Sequence, residues 1–284
     1  MIAMRYLGFL LKVSRPRFWF YTFGTFLVGL AGAAVFRSDL ITAKSIIFGL
    51  YFLFPANLLI YGINDIFDFE TDKLNQKKQE YEILVQPNQH KKLFFFILLF
   101  NLPFFAAAFA MAINTVPALA GFLFFSIFYS TPPIRAKTKP FLDSVFNILY
   151  VFPGIFAFQL LSDKKLPVII IIAAGIWTFA MHAYSAIPDI EADRTAQIKT
   201  IATQLGTVKT LFLCLILYLF SAILVYQYFG FLSIILGLIY ASMIFLSYYA
   251  EKKNNIFSVY KFFPIINVAV GFILFWYIAY AKFF

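Results

Sequence analysis

Charged side chains are scarce in this sequence: Asp, Glu, Lys and Arg make up 13% of its 284 residues, while 62% are hydrophobic. A water-soluble fold built from such a chain would have too little polar surface to face solvent, so the composition places it in a bilayer. Cysteine is nearly absent. Cys214 stands alone, which excludes an intrachain disulfide and a cysteine-built metal site. No Ser/Gly/Pro-rich linker or long charged tail divides the chain, and its one sizeable polar segment, 65–92, lies between the second and third apolar runs. A single domain over 1–284 is expected. The period-two alternation that membrane barrel strands require is also missing, so an all-α integral membrane protein is predicted.

What the chain does contain is nine apolar runs of roughly the 20 residues that cross the hydrocarbon core as a helix. They lie near 18–36, 45–64, 93–112, 115–130, 142–162, 167–187, 210–229, 231–249 and 262–281. The first lacks a small-residue cleavage site and follows a flank with Arg5, Lys12, Arg15 and Arg17, so it is expected to be retained. A net charge of +10 would suit nucleic acid if the cations formed one stripe. They collect instead in alternate loops, the pattern of membrane orientation, and no nucleic-acid partner is expected. With the N-terminus inside, all 23 Lys and Arg residues fall on the cytoplasmic side except Arg37, Lys44, Lys164, Lys165 and Lys282. The expectation is a multi-pass protein of the cytoplasmic membrane with a cytoplasmic N-terminus and a C-terminus on the other side.

Three polar motifs fall on that cytoplasmic face. In NDIFDFETD, Asn64 is followed by Asp65, Asp68 and Asp72 at i, i+3 and i+7, which would stack three carboxylates on one helical face. Such carboxylates repel unless a cation joins them, and magnesium takes carboxylate oxygens together with substrate phosphate oxygens. The stripe continues into the membrane through Tyr61 and Asn57. Acidic residues at a helix start, favoured by its dipole, are the plainer reading. In DIEAD, Asp189 and Asp193 stand at i and i+4, with Ser185 and His182 behind them on the same face. Pro188 should interrupt the helix just before Asp189. His182 could serve catalysis or a structural hydrogen bond. Arg194 and Lys199 follow Asp193 and join the candidate substrate-binding residues. The third motif, Tyr129 to Lys137, is a proline turn ending in Arg135 and Lys137. Those cations could neutralise phosphate oxygens or simply anchor the positive-inside face.

Each aspartate motif begins at the cytoplasmic end of an even-numbered run, the second and the sixth. This suggests two four-helix pseudo-repeats around a central cavity, with a ninth helix added. The 40 Phe and 17 Tyr residues would give such a cavity aromatic walls, able to stabilise a cation and exclude water.

Together these motifs resemble the UbiA superfamily of intramembrane prenyltransferases. NDIFDFETD is similar to its NDxxDxxxD pattern and DIEAD to its DxxxD pattern, the YSTPPIRAK loop also fits, and the resemblance covers essentially the whole chain. It implies that Asn64, Asp65, Asp68, Asp72, Asp189 and Asp193 hold Mg2+ and the diphosphate of an isoprenyl donor. Asp65, Asp68, Asp189 and Asp193 would be catalytic, and Arg135 and Lys137 would contact the diphosphate. SRPRFWFYTFG at 14–24 and MHAYSAIPDIEADR at 181–194 resemble the carotenoid-modifying, lycopene elongase branch. That implies transfer of a dimethylallyl group to a lycopene-like polyene, with the product cation resolved by proton loss or water capture near His182 or Tyr184. Gln197 departs from the family, where many members carry glycine. Two other readings stand beside this one: an aromatic or quinone-precursor acceptor, whose acid group Arg17 could meet, and a cation-coupled transporter.

Overall fold

The computed structural model describes residues 2–73 and 82–284; Lys77 and Lys78, counted among the cytoplasmic cations, lie outside them. Every regular element among the described residues is helical. This is the outcome expected where the surroundings cannot hydrogen-bond a backbone amide. Among the described residues, eight helical segments are long and apolar enough to cross a membrane: Ala43–Phe67, Pro87–Met111, Ile113–Ser130, Leu142–Leu161, Val168–Thr195, Thr207–Leu224, Phe231–Glu251 and Phe257–Phe283. The run expected at 18–36 forms the 15-residue helix Trp19–Ala33, preceded by a 3-10 turn over Pro16–Phe18. At the α-helical rise it is about 22 Å long, short of the hydrocarbon thickness. On Pro87–Met111, Phe94, Phe95, Leu98, Leu99, Leu102 and Phe109 are exposed, a surface suited to lipid. The chain is an integral multi-pass membrane protein.

Proline breaks two of the expected spans and marks the end of a third. Ala43–Leu53 and Pro55–Phe67 meet at Phe54, because Pro55 has no amide hydrogen to continue the ladder. Side chains reach the carbonyls around the break. Asn57 Nδ2 donates to Phe52 O at 3.0 Å and Leu53 O at 3.1 Å, Thr22 Oγ1 donates to Phe52 O at 2.6 Å, and Asn101 Nδ2 donates to Pro55 O at 3.1 Å. Asn57, which the sequence placed on the stripe leading to the carboxylates, is therefore occupied in repairing this break. The expected span at 142–162 is Leu142–Val145, a 3-10 turn over Phe146–Tyr150, and Phe152–Leu161, with Pro153 at its start. Pro188 likewise falls in a 3-10 turn, Ile187–Asp189, between Val168–Ser185 and Ile190–Thr195.

The chain forms two compact units. One comprises Met1–Ile134, Phe152–Lys165 and Gly271–Phe284. Its core includes Phe26, Phe48, Phe52, Phe122 and Phe156, whose rings meet mostly edge to face. An N-terminal helix, Ile2–Val13, precedes the first expected span. It packs Leu10 and Val13 against Leu58, Leu59, Ile63, Leu93 and Ile97. The other unit comprises Arg135–Val151 and Leu166–Val270. There Tyr218 stacks on Tyr240 at 4.2 Å, Tyr184 meets Phe263 edge-on at 4.7 Å, and Cys214 is fully buried.

In the first unit, Trp19–Ala33 and Phe152–Leu161 touch backbone to backbone. A Cβ at Gly29 would stand 2.1 Å from the Gly154 carbonyl oxygen. Small residues at such crossings let membrane helices approach closely. Gly29→Ala is expected to lower stability by about 2 kcal/mol, the ordinary cost of overpacking. Thermal unfolding in detergent measures this, and an unchanged midpoint would show that the helices can part without loss.

Candidate functional site

In the first unit the NDIFDFETD motif sits where Pro55–Phe67 ends. The helix is interrupted at Asp68 and resumes over Phe69–Asp72. The three carboxylates are thus not on one unbroken helix, as the spacing alone predicted. The amide bonds from Asp68 to Asn64 O at 2.9 Å and from Asp72 to Asp68 O at 2.8 Å nevertheless carry the helical rise across the break. All three carboxylates are buried: Asp65 is 2%, Asp68 0% and Asp72 9% exposed. Carboxylates in such a place persist only with compensating charge or hydrogen bonds.

Compensation comes from two directions. Arg15 Nη2 donates to Asp65 Oδ1 at 2.9 Å and lies 3.3 Å from Glu82 Oε2, while Arg17 Nη2 donates to Glu82 Oε1 at 2.6 Å. The Arg15 guanidinium also lies 4.7 Å from the centre of the Tyr61 ring. Burial disfavours its charge, but Asp65 and Glu82 outweigh that and hold its pKa above the ordinary arginine value. Arg15 takes a left-handed backbone conformation, φ 50°, between the Ile2–Val13 helix and Pro16. On the other side, Asn64 Nδ2 donates to Asp68 Oδ2 at 2.6 Å and to Ser130 Oγ at 2.9 Å, and Ser130 Oγ donates to the same Asp68 oxygen at 3.2 Å. Tyr129, beside Ser130, is half-buried.

In the second unit, Arg135 and Lys137 are half-buried, and Arg135 is left-handed at φ 46°. Its carbonyl accepts the Thr138 amide at 3.1 Å, closing the turn. Asp189 ends the 3-10 turn made by Pro188, and Asp193 lies in Ile190–Thr195; both are half-buried. Thr200 Oγ1 donates to Asp193 Oδ2 at 3.4 Å. Lys199 is exposed. Arg194 is exposed and pairs with Glu191 at 3.2 Å, a surface contact of little energetic weight. Gln197 is left-handed, φ 56°, the conformation glycine adopts without penalty. The loop therefore keeps the shape glycine would favour, at some strain. Ser185 Oγ donates to His182 O at 2.9 Å. The Tyr184 hydroxyl shares a 2.8 Å hydrogen bond with Ser247 Oγ inside the core.

Four residues pack around the motifs of their own unit without having been chosen from the sequence: three in the first unit and Asp143 in the second. Ser130 lay inside the proline-turn motif, and Arg15 and Glu82 had only their charge to mark them. Asp143 had a clearer signal, a carboxylate within an apolar run. It is fully buried; Oδ1 accepts the Ser144 amide and Oδ2 the Ile201 amide, each at 2.8 Å, and His182 Nε2 lies 3.9 Å from Oδ2. Asp143 thereby ties the segment after DIEAD to the start of its own helix.

Among the described residues, no group of three or more His, Cys, Asp and Glu side chains is gathered tightly enough to hold a metal ion unaided. The donors of the first motif nonetheless suit magnesium. They are hard oxygens, and Asp65 Oδ2, Asp68 Oδ1 and Asp72 Oδ2 are all shut off from solvent. A cation that keeps part of its shell for substrate oxygens needs only one or two such carboxylates at a time.

Residues 22–277 match the UbiA prenyltransferase family. The chain is 36% identical over 267 residues to a lycopene elongase/hydratase of Haloarcula japonica, covering 93% of this chain and 89% of that one. It is 37% identical over 271 residues to a lycopene elongase/hydratase of Haloferax volcanii, covering 94% and 87%. Its fold matches a UbiA homolog from Archaeoglobus fulgidus bound to GPP and Mg2+, with TM-score 0.70, 19% identity, and 94% and 99% of the two chains covered. The same homolog bound to DMAPP and Mg2+ matches with TM-score 0.67, 17% identity, and 94% and 98% covered. A multi-span helical protein with this kinship is a prenyltransferase. The chain belongs to the UbiA prenyltransferase family.

Arg15 and Arg17 should differ in weight. Arg15→Met leaves the Asp65 charge buried without its cation and is expected to cost about 3 kcal/mol. The half-exposed Arg17, replaced by Met, should cost under about 1 kcal/mol. Detergent unfolding of both variants measures the difference, and equal losses would mean that Arg15 is not what holds Asp65.

Proposed function

We propose that this protein transfers a dimethylallyl group from its diphosphate to the end of a lycopene-like carotenoid. The observation that carries the reading is the kinship, over more than nine-tenths of the chain, with proteins that act as lycopene elongase/hydratases. In this reading Asn64, Asp65, Asp68, Asp72, Asp189 and Asp193 hold magnesium on the donor, as the resemblance implies. Bound there, magnesium would neutralise the diphosphate and make it a better leaving group. Arg15 fixes Asp65, and Asn64 and Ser130 fix Asp68, so these two carboxylates need not reorganise when the donor arrives. Arg135, Lys137, Arg194 and Lys199 supply cations to the diphosphate oxygens, with His182 and Tyr129 lining the substrate side.

The reaction itself needs little from the protein beyond placement. The allylic carbon–oxygen bond breaks, the acceptor's terminal double bond supplies an electron pair to the allylic carbon, and positive charge is left on a tertiary carbon of the acceptor. Aromatic walls shelter that charge. It ends either by losing a proton or by capturing water. A hydrocarbon acceptor asks for no charged recognition group, and Arg17, the side chain that could have met an aromatic acid, donates to Glu82 instead.

The same reading takes residues 1–284 as one catalytic domain of nine spans, arranged as two four-helix repeats plus one, in the cytoplasmic membrane. The N-terminus and the loops bearing the motifs face the cytoplasm, following the basic residues. The test is incubation of membranes with radiolabelled dimethylallyl diphosphate, magnesium and separate acceptors, followed by mass analysis. Label is expected in a lengthened carotenoid; label entering only a quinone precursor would defeat the proposal. Replacing Asp65 and Asp68 together by Asn should lower turnover at least about a hundredfold while the protein stays folded in membranes. Undiminished turnover would remove these carboxylates from the active site.

A further inference from the structure

The second unit contains a pair of ionisable side chains that donor binding does not use. Of the two histidines, His90 sits in the first turn of Pro87–Met111, with Nε2 3.3 Å from the Val85 carbonyl oxygen. His182 lies deep in Val168–Thr195, seven positions before Asp189 on the same helical run. That spacing sets it on the order of 10 Å along the span from the Asp189 carboxylate, toward the membrane interior. If the diphosphate is held at Asp189, this is the level of the hydrocarbon ends that react. The imidazole is not sealed in: its side chain is 16% exposed, while Asp143 behind it is 0% exposed.

Asp143 is more than a cap. Its two oxygens accept the Ser144 and Ile201 amides, each at 2.8 Å, which fixes the carboxylate's orientation. A neutral Ser, Thr or Asn could meet such needs without burying a charge. A carboxylate earns its desolvation cost if the group facing it becomes positive, and the group facing it is His182, with Nε2 3.9 Å from Oδ2. A partly accessible imidazole 3.9 Å from a buried, oriented carboxylate is an arrangement suited to a general base whose protonated form is stabilised by its neighbour.

We infer that His182 is the base that takes the proton of a water molecule captured by the product cation, with Asp143 as its positioning residue. This rests on the carotenoid reading above. Water oxygen forms a bond to the tertiary carbon, one water O–H bond breaks, and its proton passes to the imidazole ring. The imidazolium charge is balanced by Asp143, and the product is a tertiary alcohol. Without a base near the water, a C–H bond on the adjacent carbon breaks instead, its proton passes to the released diphosphate, and the bonding pair closes to an alkene.

The ratio of alcohol to alkene reports this step separately from transfer. Wild-type membranes, lycopene, magnesium and radiolabelled dimethylallyl diphosphate are incubated in heavy-oxygen water, and the products are separated by mass. The wild type is expected to give mainly alcohol carrying heavy oxygen. His182→Gln should lower the alcohol-to-alkene ratio by about tenfold or more, read per molecule of label transferred. Asp143→Asn, which keeps the imidazole, should move the ratio the same way but less. Because the ratio is read per molecule transferred, partial loss of folded protein does not alter it. An unchanged ratio in His182→Gln, both products falling together, or wild-type product without heavy oxygen would each overturn the inference. Failure of the wild type to label lycopene at all would instead overturn the carotenoid reading on which it rests.

Discussion

Hydrocarbon offers no hydrogen bonds, and the structure follows from that one constraint. Backbone amides must be satisfied within the chain, so the segments that meet the bilayer are helices. Where a proline breaks a helix, other side chains must answer the freed carbonyls. At Pro55 the answer comes from Thr22 and Asn57, which donate to Phe52 O, while Asn101 of a third helix holds the Pro55 carbonyl. These polar residues look out of place in apolar runs until the break they serve is seen. The proline and its polar partners together stitch the helices carrying the first motif into one body.

Ionisable groups obey the same constraint more strictly. Asp65, Asp68 and Asp72 are buried at the end of a span, and the fold brings a guanidinium from the N-terminal turn to the first and an amide–hydroxyl pair to the second. In the second unit, Asp143 is held by two backbone amides and faced by an imidazole. Asp65, Asp68 and Asp143 are thus oriented before any ligand arrives. For chemistry that depends on charge placed in advance, such orientation is the protein's main contribution. It also explains why three site loops accept left-handed backbone at non-glycine residues, Arg15, Arg135 and Gln197: local strain is tolerated where surrounding contacts fix the turn.

Much of this was legible in the sequence, because composition and apolar run length respond directly to the bilayer. The membrane class, the helical fold, the positions of most spans and the family could all be read from residues in order. The three motifs were also visible, since their spacing is local. Less legible were the partners. Asn57 was read as part of a stripe toward the carboxylates, though its side chain turns to the Pro55 break. Tyr184 was read as a lining residue, though its hydroxyl is bonded to Ser247 in the core. Gln197 departs from the family pattern in residue type, and its φ of 56° is one that glycine adopts without penalty.

By itself, then, the sequence determined that the chain lives in a membrane as helices and that its carboxylates come in two motifs, since these depend on residue type and short-range period. Only the tertiary structure decided which charge meets which carboxylate. Arg15 is fifty residues from Asp65, and Ser130 is 62 from Asp68. Asp143 is 58 from Ile201. Contacts over such separations are set by how the helices pack and where prolines bend them, and no local pattern in the chain encodes them.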